Sequence, residues 1–405
     1  MQPFGKFIVK NVRWIAGGFL LTLFSSFGQT FFISLSNGGI REDYGLGHGD
    51  FGVLYMLATL ASAATLPLFG RALDRFPTVA VAAVTILMLA ASSALMGVAG
   101  SLPTLVVALY LLRLFGQGMM TQTAMTATGR WFAANRGRAI SVVSLGFHVG
   151  SAALPFLFVL VADLVGWRGS WLFCAVFLTV IALPLVSALM RKERDPQSEA
   201  RSKAQRTMKH WTRAEVLGDP TFYAICLGVL APAFVGTTIF FHQVYLTEIR
   251  GWPLPLFASG FVVLSVTTMA VSLVAGQLID RFSAVSLLPL FLVPLALACL
   301  AAAFLTAPWA IFVFMALLGV SYGFSSTLEG ALWPEIYGTE HLGAVRSVVV
   351  AAMVFASAVG PGLTGYLIDA GVDYSYQLAG MGAYSLVAAL LMWFVSRRLK
   401  YRSSD

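Results

Sequence analysis

The chain has 405 residues, of which 58% are hydrophobic and only 11% are charged, and its mean hydropathy is +0.82. A soluble domain carries charge on about a quarter of its residues, so this composition excludes a soluble globular protein. The net charge is +8, but 22 of the 26 Lys and Arg residues fall in segments expected on one side of a membrane. Such a bias sets membrane topology and attracts anionic lipid, so we predict lipid contact and no nucleic-acid partner.

Twelve apolar segments follow one another along the chain, each long enough to cross the hydrocarbon core, which takes roughly 20 residues of helix. They are continuous runs rather than alternating patterns, which predicts an all-α integral membrane protein and not a barrel. The predicted spans 1 to 12 are 14–38, 51–69, 78–100, 103–128, 137–162, 167–190, 221–247, 255–276, 284–306, 308–333, 343–368 and 373–395. Cys174, Cys226 and Cys299 lie in separate spans without metal-ligand spacing, so we predict neither a metal site nor a cofactor.

Span 1 carries a stripe of polar residues that includes Gln29. Within a membrane such a stripe faces either a neighbouring helix or a water-filled cavity. The sequence leaves these two interpretations open, and in the second one Gln29 contacts a molecule held in the cavity.

A charged motif follows span 2, where Gly70 precedes Asp74 and Arg75, and a second copy follows span 8, where Gly276 precedes Asp280 and Arg281. The two copies are 206 positions apart, and three more pairs share this offset: Gly137 and Gly343, Pro155 and Pro361, Asp163 and Asp369. A half-chain used twice in one orientation predicts two six-helix parallel repeats, with 1–190 as the first half, 191–219 as a linker and 220–405 as the second half.

The doubled motif resembles the Gly-x-x-x-Asp-Arg signature of the major facilitator superfamily, in which it latches the cytoplasmic side. The resemblance implies twelve helices, alternating access to a central site, and a cytoplasmic gate at these six residues. We expect the glycines to permit close helix approach, the aspartates to meet a helix N-terminus, and the arginines to bind carboxylates or phosphates. Purely topological charge is the alternative interpretation.

Arg113 in span 4 is the one basic residue that falls well inside a predicted span. A charge inside the membrane is costly and marks a functional site by default. Gln117 follows at i+4 and shares its helical face. The Arg-x-x-x-Gly run also resembles the superfamily's helix-four motif, which is associated with anion binding or proton coupling. An arginine bonded only to backbone carbonyls remains the structural alternative.

The segment after span 4 reads Trp131-Phe132-Ala133-Ala134-Asn135-Arg136-Gly137-Arg138, followed by Gly146 and Gly150. It resembles the monocarboxylate and oxalate–formate branch of the superfamily over about 25 residues. The branch's acidic-Gly motif in the first helix is not matched, since Ser25-Ser26-Phe27-Gly28 stands there. The resemblance therefore does not specify a monocarboxylate as the substrate.

Two histidines lie within or near spans. His148 in span 5 is either a buried hydrogen-bonding residue or part of a cavity that carries protons. His242 lies near the end of span 7, where it could contact a substrate or form a simple helix contact. Residues 191–219 form the only long hydrophilic segment and predict a linker with a short amphipathic helix around Trp211.

Span 10 carries Tyr322, Ser325, Ser326 and Glu329 at i, i+3, i+4 and i+7, which is one helical face. Glu329 is the one acidic residue of 18 that falls deep within a span. A buried carboxyl favours its protonated form, so Glu329 is the predicted proton carrier. Tyr322 and Ser326 are predicted to contact the substrate. A permanent ion pair between Glu329 and Arg113 is the alternative.

Together these features predict a monomeric secondary transporter of the inner membrane, with both termini cytoplasmic, that moves a small organic anion by proton-coupled symport or antiport. An exporter of amphipathic drugs, or a carrier of a neutral aromatic metabolite such as a vitamin, is the alternative. An enzyme is not predicted, because the sequence contains no nucleotide-binding loop, metal constellation or catalytic triad.

Overall fold

A computed structural model describes residues 4–70, 72–132, 136–192, 211–338 and 342–402 as a protein of helices. The first four spans are formed by Val12–Phe24 with Ser25–Gly28, Thr30–Ile33, Ser34–Ser36 and Asn37–Tyr44; His48–Gly70; Thr78–Val98; and Leu102–Leu111 with Leu112–Met120 and Thr121–Trp131. Spans 5 and 6 lie together in Arg136–Phe177 with Leu178–Ala182 and Leu183–Met190. The last six are formed by Pro220–Val229 with Ala231–Phe241 and Gln243–Arg250; Leu254–Phe282; Ala284–Leu287 with Leu292–Phe304; Ala310–Tyr337; Leu342–Asp369; and Tyr374–Arg402.

Among the described residues, ten helices are long and apolar enough to cross a membrane, and the bent pair Val12–Gly28 and Thr30–Tyr44 makes eleven. One of the ten, Ala139–Met190, is 52 residues long and contains both predicted spans 5 and 6. Its Gly166 has a non-helical φ of 73° and ψ of 170°, which breaks it at the predicted boundary. At 1.5 Å per residue such a helix is about 78 Å long, more than twice the hydrocarbon thickness. It is therefore long enough for two crossings, which is consistent with the separate predicted spans 5 and 6.

Backbone contacts divide the chain into two units, which we describe separately. Unit 1 contains Met1–Leu46 and Leu54–Lys203, and unit 2 contains Gly47–Val53 and Ala204–Asp405. Residues 193–210, most of the predicted linker, lie outside the described residues. The described part of the linker contains a short helix, Arg213–Leu217, whose first turn is capped by Thr212 and Glu215.

In unit 1 the helix of span 5 packs on span 1 through two glycines. A Cβ built on Gly150 would lie 2.5 Å from the Leu23 carbonyl oxygen, and one on Gly146 would overlap the Phe19 carbonyl oxygen. Any larger residue would hold the two backbones apart, since carbon atoms pack best at about 3.5–4.0 Å. The glycines of the segment that resembles the monocarboxylate branch thus serve helix packing.

In unit 2 the same kind of close approach joins span 8 to span 10, while span 7 packs on span 11 and span 9 on span 12. A Cβ on Gly319 would lie 2.7 Å from the Leu264 carbonyl oxygen, and one on Gly323 would lie 2.5 Å from the Thr268 carbonyl oxygen. Small residues therefore position span 10, the element that carries Glu329.

Candidate functional site

Span 1 is broken at its centre, and the break releases backbone groups inside unit 1. Its helix ends at Phe24, one turn of 3₁₀ helix follows over Ser25–Gly28, and Gln29 is extended with φ −84° and ψ 152°. In an unbroken helix the Gly28 carbonyl would accept a hydrogen bond from the Phe32 N–H group. That N–H donates instead to the Gln29 carbonyl at 3.1 Å, so the Gly28 oxygen needs another donor.

Arg113 of span 4 supplies that donor. Its Nη1 donates to the Gly28 carbonyl at 3.1 Å and to Thr30 Oγ1 at 3.3 Å, and its guanidinium carbon lies 5.4 Å from the centre of the Tyr55 ring. The Tyr55 hydroxyl also donates to Thr30 Oγ1, at 2.7 Å. Arg113 is 2% exposed, and its Nε is a buried donor without a hydrogen-bond partner among the described residues.

The broken segment and span 4 touch backbone to backbone. A Cβ on Gly28 would overlap the Leu112 carbonyl oxygen and lie 2.6 Å from the Gly116 Cα atom. On the other side of this contact, Leu112–Met120 is a π-helix, a wider turn that is frequent at functional sites. Arg113 and Gln117 both lie in this π segment rather than in the α-helix that the sequence predicted.

The polar residues of span 1 divide between two environments in unit 1. Ser25, Ser26 and Thr30 are buried against neighbouring helices, whereas Gln29 is half-buried, as is Gln117 of span 4. Thr30 belongs to the polar stripe that the sequence shows in span 1, whereas Tyr55 was missed by the sequence analysis. The Ser25-Ser26-Phe27-Gly28 run was the available signal for the break, because small polar residues and glycine weaken a helix interior.

In unit 2, Glu329 on span 10 is half-buried and accepts a hydrogen bond from the Ser325 hydroxyl at 2.9 Å. Ser325 is buried, whereas Ser326 is exposed and donates to the Gly323 carbonyl at 3.2 Å. The predicted helical face is thus present, with its carboxyl group held by a hydroxyl one turn earlier. Such a hydrogen bond is charge-assisted when the carboxyl is ionised.

Tyr322 is half-buried on the same face and lies against span 7. A Cβ on Gly236 would overlap the Tyr322 hydroxyl oxygen and lie 2.7 Å from the ring carbon that bears it. Only glycine at position 236 leaves room for the tyrosine in this position, so the sequence of span 7 determines where the hydroxyl group lies.

The two predicted histidines have separate surroundings. His242 is 2% exposed at the junction between two helices of span 7, and its Nε2 lies 3.1 Å from the Pro361 carbonyl oxygen. Its ring is 5.9 Å from the ring of Tyr374. His148, in unit 1, is half-buried with its ring 5.5 Å from the neighbouring Phe147 ring.

The motif glycines make no close helix contact among the described residues. Among the described residues, nothing lies within 4 Å of a Cβ built on Gly70, and at Gly276 the nearest atom is a methyl group of Thr327 at 3.9 Å. Arg75 and Arg281 are exposed, and the side chains of Asp74 and Asp280 lie outside the described residues.

The second motif copy is followed by a helix start that the sequence analysis did not anticipate. The Glu335 carboxylate of span 10 accepts hydrogen bonds from the backbone N–H groups of Ala284 at 2.9 Å and Val285 at 3.4 Å. A carboxylate at this place satisfies free N–H groups and complements the helix dipole. In the described part of the chain, no three His, Cys, Asp or Glu side chains group as metal ligands.

Comparison with known proteins agrees with this architecture. The chain is 25% identical over 419 residues to a protein of Cupriavidus necator named "Probable sulfoacetate transporter SauU", and the alignment covers 98% of this chain and 96% of that one. Two crystal structures of a bacterial homologue of the human lysosomal transporter Spinster share the fold. The unoccupied form has a TM-score of 0.71 at 18% identity and the occupied form 0.68 at 16%, each covering 98% of both chains.

The family profile described as Major Facilitator Superfamily matches residues 18–345 and 263–404, which together take in most of the chain. The helices, the doubled motif and this match lead to one conclusion. The chain belongs to the major facilitator superfamily and is a membrane transporter rather than an enzyme.

Proposed function

We propose that this transporter moves a small organic anion by proton-coupled alternating access, with Arg113 binding the negative group. The observation that carries the proposal is the Arg113 side chain, which is 2% exposed and keeps a buried Nε donor without a partner among the described residues. A buried donor left unpaired costs roughly 1–3 kcal/mol. A bound carboxylate or sulfonate oxygen would satisfy it.

The partners of Arg113 orient it for such a role. Both contacts of Nη1 lie on the broken segment of span 1, and the Tyr55 ring lies beside the guanidinium group. Protein oxygens accept the hydrogen bonds of Nη1 on one side of the planar guanidinium group. Nε, on the other side, is therefore left to donate to a second acceptor. No carboxylate partner of Arg113 occurs among the described residues of unit 1, so its charge there is balanced only by neutral dipoles.

The relative from Cupriavidus necator supports an anionic substrate, because sulfoacetate carries a carboxylate and a sulfonate. An arginine fork matches the oxygen geometry of both groups. At 25% identity the relative supports the substrate class and not the particular molecule. Gln29 and Gln117, both half-buried, are proposed to hydrogen-bond the same anion, and Tyr322, Ser326 and His242 are proposed substrate contacts from unit 2.

Glu329 is proposed to carry the proton. Its half-buried carboxyl group is held by Ser325, and a carboxyl that alternates between exposed and buried surroundings can take up and release a proton during the cycle. His148 is proposed as a second proton-carrying group. Rocking of the first half, 1–190, against the second, 220–405, would change these surroundings, with the two charged motifs as the cytoplasmic gate.

A ligand screen tests the proposal. The purified chain is heated with mono- and dicarboxylates, sulfonates, sugars and cationic dyes, because a ligand that binds the folded state raises stability by about 2.7 kcal/mol at a hundredfold excess over Kd. We expect stabilisation by an anion, loss of that effect in Arg113→Gln, and its retention in Arg397→Gln, a matched change at an exposed arginine. Stabilisation by cations or neutral aromatics alone would contradict the anion proposal.

We further propose that the chain is a monomer of the inner membrane with both termini cytoplasmic, as the distribution of Lys and Arg indicates. A single cysteine introduced at Ser403 would then react with a membrane-impermeant maleimide only after the cells are opened. Labelling of intact cells would reverse the orientation.

A further inference from the structure

Unit 2 contains a side cavity that has no part in the anion site proposed above. It has a volume of about 540 Å³ and lies between span 7, span 11 and span 12. This volume lies in the range of about 300–1,000 Å³ that is typical of small-molecule sites. Its lining is largely apolar and includes Phe234, Val359, Leu363 and Met381.

The cavity opens at the surface of unit 2, between exposed side chains that are mostly apolar. Phe355, Leu363 and Tyr384 line it and are 60%, 48% and 43% exposed. In a membrane-spanning helix bundle, exposed apolar and aromatic side chains face lipid chains. A molecule dissolved in the bilayer can therefore reach this cavity.

Gln377 lines the cavity and carries a buried acceptor that lacks a partner among the described residues. Gln377 is 9% exposed, its Nε2 donates to the Val372 carbonyl at 3.0 Å, and its Oε1 has no hydrogen-bond partner among the described residues. The bond to Val372 determines which end of the amide is nitrogen, so the unpaired atom is the acceptor. The Tyr384 hydroxyl cannot serve it, since it donates to the Leu227 carbonyl at 2.7 Å.

The internal repeat provides a comparison for this cavity. At the 206-residue offset, Leu157 and Cys174 correspond to Leu363 and Gly380, and all four line a cavity in their own unit. The cavity of unit 1 has a volume of only about 200 Å³. The duplicated fold therefore forms a hollow at this position in both units, and in unit 2 the hollow is larger.

Aromatic residues occupy the corresponding positions of unit 1. In unit 1, Phe158 and Trp171 pack with their ring centres 5.6 Å apart, and the Trp171 indole N–H donates to Ser36 at 2.8 Å. Their counterparts in unit 2 are Thr364 and Gln377, which are smaller and polar. At these two positions unit 1 has a packed pair of aromatic rings, and the Trp171 N–H has a hydrogen-bond partner. Unit 2 has smaller side chains there, and Gln377 Oε1 has no hydrogen-bond partner among the described residues.

We infer that the cavity between spans 7, 11 and 12 binds a membrane-dissolved amphiphile with an alkyl chain and a hydroxyl group, which donates its hydrogen bond to Gln377 Oε1. The chain fills the apolar lining, and the hydroxyl satisfies the buried acceptor. This site is separate from the proposed function, and neither depends on the other.

The test compares oleyl alcohol with oleyl methyl ether, which has the same chain but no donor. Native mass spectrometry measures binding of each to the full chain in lauryldimethylamine oxide, a detergent without a hydroxyl group that could compete. We expect the alcohol to bind wild type at least about tenfold more tightly than the ether, since it alone satisfies the acceptor. Equal binding of the two, or binding of neither, would overturn the inference without any variant being needed.

Variants then locate the site. Gln377→Leu is expected to lose the preference for the alcohol, and the double change Thr364→Phe with Gln377→Trp, which introduces the residues of unit 1, is expected to lose both ligands. Tyr376→Phe, at an exposed position on the same helix, is the matched control and should retain the preference. Retention of the tenfold preference in Gln377→Leu would place the hydroxyl elsewhere and overturn the assignment.

Discussion

Replacing Gly28 with alanine tests whether the contact between span 1 and span 4 holds Arg113 in place. The added Cβ would overlap the Leu112 carbonyl oxygen and lie 2.6 Å from both the Gln117 nitrogen and the Gly116 Cα atom. These are backbone atoms that no rotamer change can move. Because comfortable contacts begin near 3.5 Å, the two backbones must separate by about 1 Å.

That separation should lower the stability of the protein and lengthen a hydrogen bond of Arg113. Overpacking of this size costs about 1–3 kcal/mol in stability. It also lengthens the Arg113 bond to the Gly28 carbonyl from 3.1 Å to about 4 Å, beyond hydrogen-bonding distance. We therefore expect a lower melting temperature in detergent, and substrate uptake in liposomes that is reduced even at temperatures where the variant remains folded.

Gly330→Ala is the matched control, because Gly330 is exposed and nothing described lies within 4 Å of a Cβ built there. It should melt and transport like wild type, or melt slightly higher because alanine favours a helix. If Gly28→Ala behaved like Gly330→Ala in both assays, the close contact would not position Arg113, and the reasoning would be refuted.

Three further substitutions test other contacts. Gly236→Ala should lower stability by about 1–3 kcal/mol through its overlap with Tyr322, and Tyr322→Phe should restore part of the loss; no restoration in the double variant would argue against the contact. Trp171→Ala should lower the free energy of unfolding by about 3–5 kcal/mol, measured by thermal unfolding, because the side chain is fully buried. A decrease below about 1 kcal/mol would contradict that packing. Glu335→Ala should cost about 0.5–2 kcal/mol by freeing the N–H groups at Ala284, which faster amide hydrogen exchange there would report and unchanged exchange would refute.

Much of the fold was predictable because a membrane imposes simple local constraints. A run of apolar residues near 20 must cross as a helix, whatever its neighbours are. The repeat was visible because Asp74 and Asp280, like Pro155 and Pro361, are uncommon residues in an apolar chain and so stand out at a common offset. Arg113 stood out for the same reason.

What could not be predicted depends on contacts between segments far apart in sequence. The break at Gln29 is matched to the π segment of span 4, and neither is specified by its local residues alone. Among the described residues no close approach occurs at Gly70, because a glycine signals only possible proximity, and the packed structure shows which glycines use it. Gly28 does make such a contact, yet nothing in the sequence distinguishes it from Gly70. Likewise, Gln377 becomes notable only when its acceptor is seen to be buried, with no hydrogen-bond partner in the described part of the chain.

In the proposed transport cycle, Arg113 binds an organic anion whose movement is driven by protons. The most direct measurement is uptake of the anion found by the ligand screen into liposomes with an imposed proton gradient, comparing wild type with Arg113→Gln and Glu329→Gln. We expect gradient-driven accumulation by wild type, no uptake by Arg113→Gln, and equilibration without accumulation by Glu329→Gln. Accumulation by Arg113→Gln at the wild-type rate, with the variant folded, would contradict it and leave the arginine with only its structural bonds to span 1.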